Sequence, residues 1–142
     1  MEKIYDLVRQ ERFTPTSAAR AYGAIAVAAY EAVVAGMPAN VSLAGQLNGL
    51  ALGPSPTPGS RIHWPISLNA AVEKTALATF ADRSPASRES ITEYAAHVRG
   101  DLGSEVLTPI AEASHVLGAN VGDHVANWVQ GDGYNEIIGL PY

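Results

Sequence analysis

"RAYGAIAVAAYEAV", residues 20–33, carries charge only at Arg20 and Glu31 and is otherwise built of Ala, Val, Ile, Tyr and Gly. A membrane span needs about 20 consecutive apolar residues. Here ten uncharged residues separate Arg20 from Glu31, and Gly36, Pro38 and Asn40 end the segment soon after. The stretch therefore reads as a helix buried in protein. At about 100° per residue, Arg20 and Glu31 fall on one side with Ala24, Val27 and Ala28 between them, while Tyr22, Ile25, Ala29 and Val33 occupy other sides. A helix apolar nearly all round is expected to be surrounded by other helices. That predicts a missing partner segment or an oligomer interface, against the alternative of a small bundle with an Ala-rich central helix.

Composition narrows the function classes. With 47% hydrophobic and 16% charged residues in 142, the sequence predicts one globular unit rather than a disordered tail. The net charge of -5, with Lys3 and Lys74 as the only lysines, argues against a nucleic-acid partner. Without cysteine there is no disulfide framework, thiolate metal site or cysteine nucleophile. The charged start "MEKIYDLVRQERF" lacks the apolar core of a signal peptide, so the expectation is a cytosolic chain or one whose leader has been removed.

The rest of the chain predicts an all-α fold, a bundle of about five helices. Ile4, Leu7 and Val8 with Tyr5 mark a first short helix. Thr14 as N-cap and Pro15 in the first turn open the second, which runs to about Ala35 before Gly36 and Pro38 stop it. Residues 39–63, with four Gly and three Pro, predict one long irregular loop whose Leu43, Leu47, Leu50 and Leu52 dock on the helices. A helix from about Pro65 buries Ile66, Leu68 or Asn69, Val72, Ala76 and Phe80. Ser84 and Pro85 open another, with an apolar stripe of Ile91, Tyr94, Ala95 and Val98. The last starts near Ser104 or Thr108 and carries Ile110, Ala113, Leu117, Val121, Val125 and Trp128. In it, Gly118 and Gly122, four apart, leave a strip where a neighbouring backbone can approach. "NEIIGLPY" reads as an apolar tail.

Polar residues nominate little chemistry. Glu112 and His115 form one E-x-x-H pair of the kind that di-iron bundles use twice, but Glu93 and His97 are four apart and no second pair exists. His115 and His124 differ by nine positions, nearly opposite on a helix, so they cannot share a metal. The expectation is that Glu112 and His115 face solvent and that His124 sits at the stripe's edge with a hydrogen-bond partner. Ser60, Arg61 and His63 lie together in a Gly/Pro-rich loop, where turn chemistry is the default over a hydrolase site. Asn40-Val41-Ser42 fits a glycosylation acceptor pattern. No Gly-rich nucleotide loop is present.

Taken together, "RQERFTPTSAARAYGAIAVAAYEAVVAGMP" and "SLAGQLNGL" resemble the N-terminal helical part of bacterial proteins of the vanadium-dependent haloperoxidase and type 2 phosphatidic acid phosphatase superfamily. The likeness rests on Glu11, Arg12, Pro15, Ala19, Arg20, Tyr22, Tyr30, Glu31, Ala32 and Val33. "HWPISLNAAV" and "ASHVLGANVGDHVANWVQGDGY" extend it over most of residues 9–134. The resemblance implies that the chemistry belongs to three later motifs: Lys followed after six residues by Arg-Pro, Ser-Gly-His, and Ser-Arg followed after five residues by His. These surround vanadate or phosphate with cations and backbone donors. None occurs here, because Lys3 leads to Gln10, Lys74 to Ala81, Ser60-Arg61 to Ser67 and Ser87-Arg88 to Tyr94, and no His follows a Gly.

No catalytic, cofactor-binding or metal residue is therefore carried over. The vanadate or phosphate site is expected in a missing half. Residues 1–142 are read as a single N-terminal helical scaffold domain of a larger two-part protein, this chain being a truncated piece, a proteolytic fragment or one part of a split protein. On this reading the chain alone is inactive and its parent is a phosphatase or haloperoxidase. Its partner is the C-terminal catalytic half or a second copy, with no nucleic acid and no membrane span, and the resemblance implies a periplasmic or extracytoplasmic home. The alternatives are a self-sufficient helical oligomerisation protein and, more distantly, a di-metal bundle.

Overall fold

The computed structural model describes residues 2–138. Six helices follow in order: α1 (Glu2–Gln10), α2 (Pro15–Val34), α3 (Trp64–Thr79), α4 (Pro85–Gly103), α5 (Thr108–Gln130) and the single turn α6 (Tyr134–Ile137). Local chemistry sets their starts. The Thr14 hydroxyl accepts the Ser17 N–H at 3.2 Å, and Ser84 does the same for Ser87 at 3.3 Å. Pro15, Pro65, Pro85 and Pro109 each sit in a first turn, where the missing N–H costs nothing. Among the described residues the only β pairing is an isolated bridge between Ala44 and Leu47.

The centre of the bundle is α3, which packs against α2, α4 and α5. It buries Ile66, Ala70, Ala71 and Ala76 together with Ser67 and Thr75. Those hydroxyls are satisfied by neighbouring helices: Ser67 donates to the Ala32 carbonyl at 2.9 Å and Thr75 to that of Gly122 at 3.3 Å. The α3–α5 seam is close because of the two glycines. A Cβ on Gly118 would lie 2.0 Å from the Ser67 carbonyl oxygen, and one on Gly122 2.7 Å from that of Ala71. One core cluster joins Ala24, Ala28 and Ala32 of α2 to Leu117, Val121, Val125 and Val129 of α5. A second gathers Ile4, Leu7 and Val8 of α1 around Ile25, Phe80 and Ile91.

Several expectations change. It is α3, not the apolar α2, that other helices surround; α2 packs on one side and turns Ala19, Gly23 and Ala26 to the outside. Gly36 does not end α2 through a left-handed cap, since its φ is not positive; it makes room for the Trp64 indole, which a Cβ would approach to 2.3 Å. In the long loop Leu50 is buried and Leu43 and Leu47 are half-buried, whereas Leu52 is 83% exposed. Of Leu68 and Asn69 it is Asn69 that turns inward, donating to the Ala95 carbonyl at 2.9 Å; Tyr94 and Ala113 face outward, while Ser67, Ser87 and Ser114 are buried. Within the expected apolar tail, Asn135–Ile137 belong to α6, and residues 139–142 lie outside the described residues. None of the described helices is long and apolar enough to cross a membrane.

Candidate functional site

The polar residues nominated by the sequence are dispersed. Ser60 donates to the Thr57 carbonyl at 2.7 Å, closing a turn, while His63 sits at the start of α3 with Nε2 3.9 Å from a Glu105 carboxylate oxygen. No hydrogen bond joins Ser60, Arg61 and His63. His124 lies at the edge of the apolar stripe, its Nε2 3.0 Å from the Ala51 carbonyl, as expected. Glu112 faces solvent, but His115 is half-buried with Nε2 3.3 Å from Arg99. Burial and then the Arg99 charge hold its imidazole below the usual histidine range. A guanidinium can only donate, so Nε2 is the acceptor in this contact.

A vanadate- or phosphate-sized oxyanion needs several free cations and donors converging beside a histidine. These residues do not fit one. Arg20 is held by Asp132 and Lys74 faces Asp123 at 3.7 Å. His63 and His97 face carboxylates, and no group of three or more His, Asp or Glu able to hold a metal occurs among the described residues.

What the fold builds instead is a surface. Both charges of α2 are consumed inside the chain. Arg20 Nε donates to Asp132 at 2.6 Å and its Nη2 to the Val129 carbonyl at 2.8 Å, with the guanidinium 4.3 Å from the Tyr134 ring centroid. Burial raises the Asp132 carboxyl, but hydrogen bonds from Arg20 and the Tyr134 N–H outweigh it and hold the group below its ordinary value. Glu31 accepts from the Ser42 hydroxyl at 2.8 Å and the Leu43 N–H at 2.7 Å, anchoring the long loop. The Tyr30 hydroxyl donates to the Val41 carbonyl.

Opposite the core, Thr16, Ala19, Gly23 and Ala26 are exposed and Tyr30 and Val34 half-buried, while Tyr22 and Val27, also half-buried, pack against the two core clusters. This arc of a 20-residue helix carries no carboxylate, ammonium or guanidinium group. The sequence showed that α2 was apolar on every side. It did not show that the two charges were spent internally, because Asp132 and Ser42 lie far from them along the chain.

No known family model matches the chain, and no curated protein matches it. Among solved structures it is similar to one described as the first bacterial vanadium-dependent iodoperoxidase, with TM-score 0.85 and 24% identity. The match covers 99% of this chain and 33% of that one, so the chain spans about a third of that protein's length. The likeness establishes a shared helical fold.

Proposed function

We propose that this chain is the N-terminal helical scaffold of an enzyme resembling vanadium-dependent haloperoxidases and acid phosphatases. Its role is to hold a catalytic half in place, and the parent reaction is halide oxidation or phosphomonoester hydrolysis. The observation that carries the reading is the charge-free outer arc of α2 on a fold that elsewhere forms one third of a longer chain. A helix face without charges gains by desolvation when covered, and its small residues at 19, 23 and 26 allow a second helix to approach closely. The oxyanion chemistry is assigned to the catalytic half, because Arg20 and Lys74 face carboxylates within the fold and the described residues bring no group of cations together beside a histidine.

Two experiments test this. The coding sequence read past Tyr142, or in an adjacent gene, is expected to encode Lys followed after six residues by Arg-Pro, and then Ser-Gly-His. A stop codon with no such gene nearby contradicts the reading. Vanadate titration of the isolated chain is expected to give no stoichiometric binding; tight binding at one site per chain would overturn the assignment of that chemistry to the other half.

A further inference from the structure

Two side chains of α5 tie down the long loop. The Trp128 indole Nε1–H donates to the Asn48 carbonyl at 2.9 Å, and His124 Nε2 lies 3.0 Å from the Ala51 carbonyl. Between Leu47 and the buried Leu50 the chain reverses in a turn, closed by the Leu50 N–H on the Leu47 carbonyl at 3.2 Å. Asn48 and Gly49 form its tip, and both are exposed. Gly49 has a φ of 74°, which side-chained residues rarely adopt and which explains the glycine there.

The same glycine leaves Asn48 open to attack by its own backbone. With no side chain beside it, the Gly49 nitrogen can be approached by the Asn48 carboxamide carbon, and the bond across the turn does not use that nitrogen. Other Asn positions differ. Asn69, Asn120 and Asn127 lie inside α3 and α5, where the next nitrogen is held in a helical hydrogen bond. Asn40 is exposed in the same loop, but the β-branched Val41 crowds the nitrogen that follows it. Asp132 precedes Gly133, yet its carboxylate is held by Arg20 at 2.6 Å and by the Tyr134 N–H at 2.9 Å.

We propose that Asn48 is a site of spontaneous deamidation whose isoaspartyl product releases the loop from α5. The Gly49 nitrogen gives its proton to base and attacks Cγ of Asn48. A C–N bond forms, the bond from Cγ to the amide nitrogen breaks, and ammonia leaves a five-membered succinimide. Water then opens either carbonyl to give aspartate or isoaspartate, each with one added negative charge. In the aspartate product the main chain is unchanged and its carbonyl still meets Trp128. In the isoaspartate product the main chain runs through the former side chain and is one methylene longer. The carbonyl that met the indole is then no longer part of the turn, so closing the turn and keeping the Trp128 bond become incompatible. This inference is independent of the scaffold reading.

The full chain is incubated in ammonia-free, mildly alkaline buffer and followed by peptide mass mapping with fragmentation that separates aspartate from isoaspartate. Conversion is expected at Asn48 at least about tenfold faster than at Asn40, and G49A is expected to slow it by a similar factor. The two products, separated by anion exchange, are then compared with N48D by NMR of indole N–H exchange, with Trp64 as internal reference. The aspartate form should match N48D, whereas Trp128 in the isoaspartate form should exchange at least about tenfold faster. Equal rates at Asn48 and Asn40 overturn the proposal. So does an unchanged rate in G49A, or an isoaspartate form whose Trp128 indole stays as protected as in N48D. If G49A disturbs the loop, the wild-type comparison of Asn48 with Asn40 decides.

Discussion

Helices α2 and α4 both lie against α3, yet they turn different surfaces outward. On α4 the outer side carries Arg88, Glu89, Glu93, His97, Arg99 and Asp101, all exposed. On α2 it carries Ala19, Gly23 and Ala26, flanked by Tyr22 and Tyr30. Water solvates the first at no cost, whereas the second is the composition of a helix interface. The core-facing sides differ far less: Ser87, Ile91 and Ala95 on one, Ser17, Ala21, Ala24, Ile25, Ala28 and Ala32 on the other. On the proposed reading it is the outward surface, not the packing on α3, that suits α2 rather than α4 to a further layer.

The most damaging way to break the comparison is to remove the frame under both helices. G118A would push a methyl into the Ser67 carbonyl at 2.0 Å, and a loss of about 3 kcal/mol or more is expected in urea denaturation. Near-native stability would mean that α3 and α5 separate easily. Next comes the outward surface itself. A26R is expected to leave the isolated chain within about 0.5 kcal/mol of wild type yet to weaken association with the catalytic half at least tenfold, about 1.4 kcal/mol. T92R on α4 should be silent in both assays, and equal effects would erase the distinction.

The caps sharpen it further. T14A and S84A each remove an N-cap, at about 1 kcal/mol. S84A is expected to cost more, because the second partner of the Ser84 hydroxyl is the Glu11 carboxylate, which also accepts from the Ser87 hydroxyl at 2.5 Å, whereas that of Thr14 is the neutral Ser17 hydroxyl. The smallest effects are those of pH. Hydrogen bonds from Ser84 and then Ser87 hold the Glu11 carboxyl below its usual range. Its contribution is therefore present above the unfolded carboxylate pKa and lost as pH falls through the folded one. Asp132 follows the same sign, so E11Q should flatten the acid limb at α4 and D132N at α2, each read by ¹³C-carboxyl NMR alongside denaturation. His115 acts in a higher window. Because its folded pKa is depressed, stability falls as pH drops below the usual histidine range, and R99M should narrow that window.

Much of this architecture was legible because its signals are local. Thr14 with Pro15, Ser84 with Pro85, and Pro109 announce helix starts through cap chemistry, and the Gly118/Gly122 spacing announced the close seam. The identity of the central helix was hidden. In α3 the buried positions include Ser67 and Thr75, which look like surface residues until the Ala32 and Gly122 carbonyls that accept their hydroxyls are seen. Conversely, the all-round apolar character of α2 pointed to burial without saying by what.

The central claim is that the outer arc of α2 is covered in the working protein while that of α4 is not. The chain contains no cysteine, so A26C and T92C can each be labelled singly. Maleimide reaction rates compared between the isolated chain and the protein read through past Tyr142 test the claim directly. The account predicts that both variants react freely in the isolated chain and that only A26C becomes protected in the longer protein, by at least about tenfold. Protection of A26C that grows with concentration in the isolated chain would assign the face to a second copy. Equal reactivity of A26C and T92C in the longer protein would contradict the account.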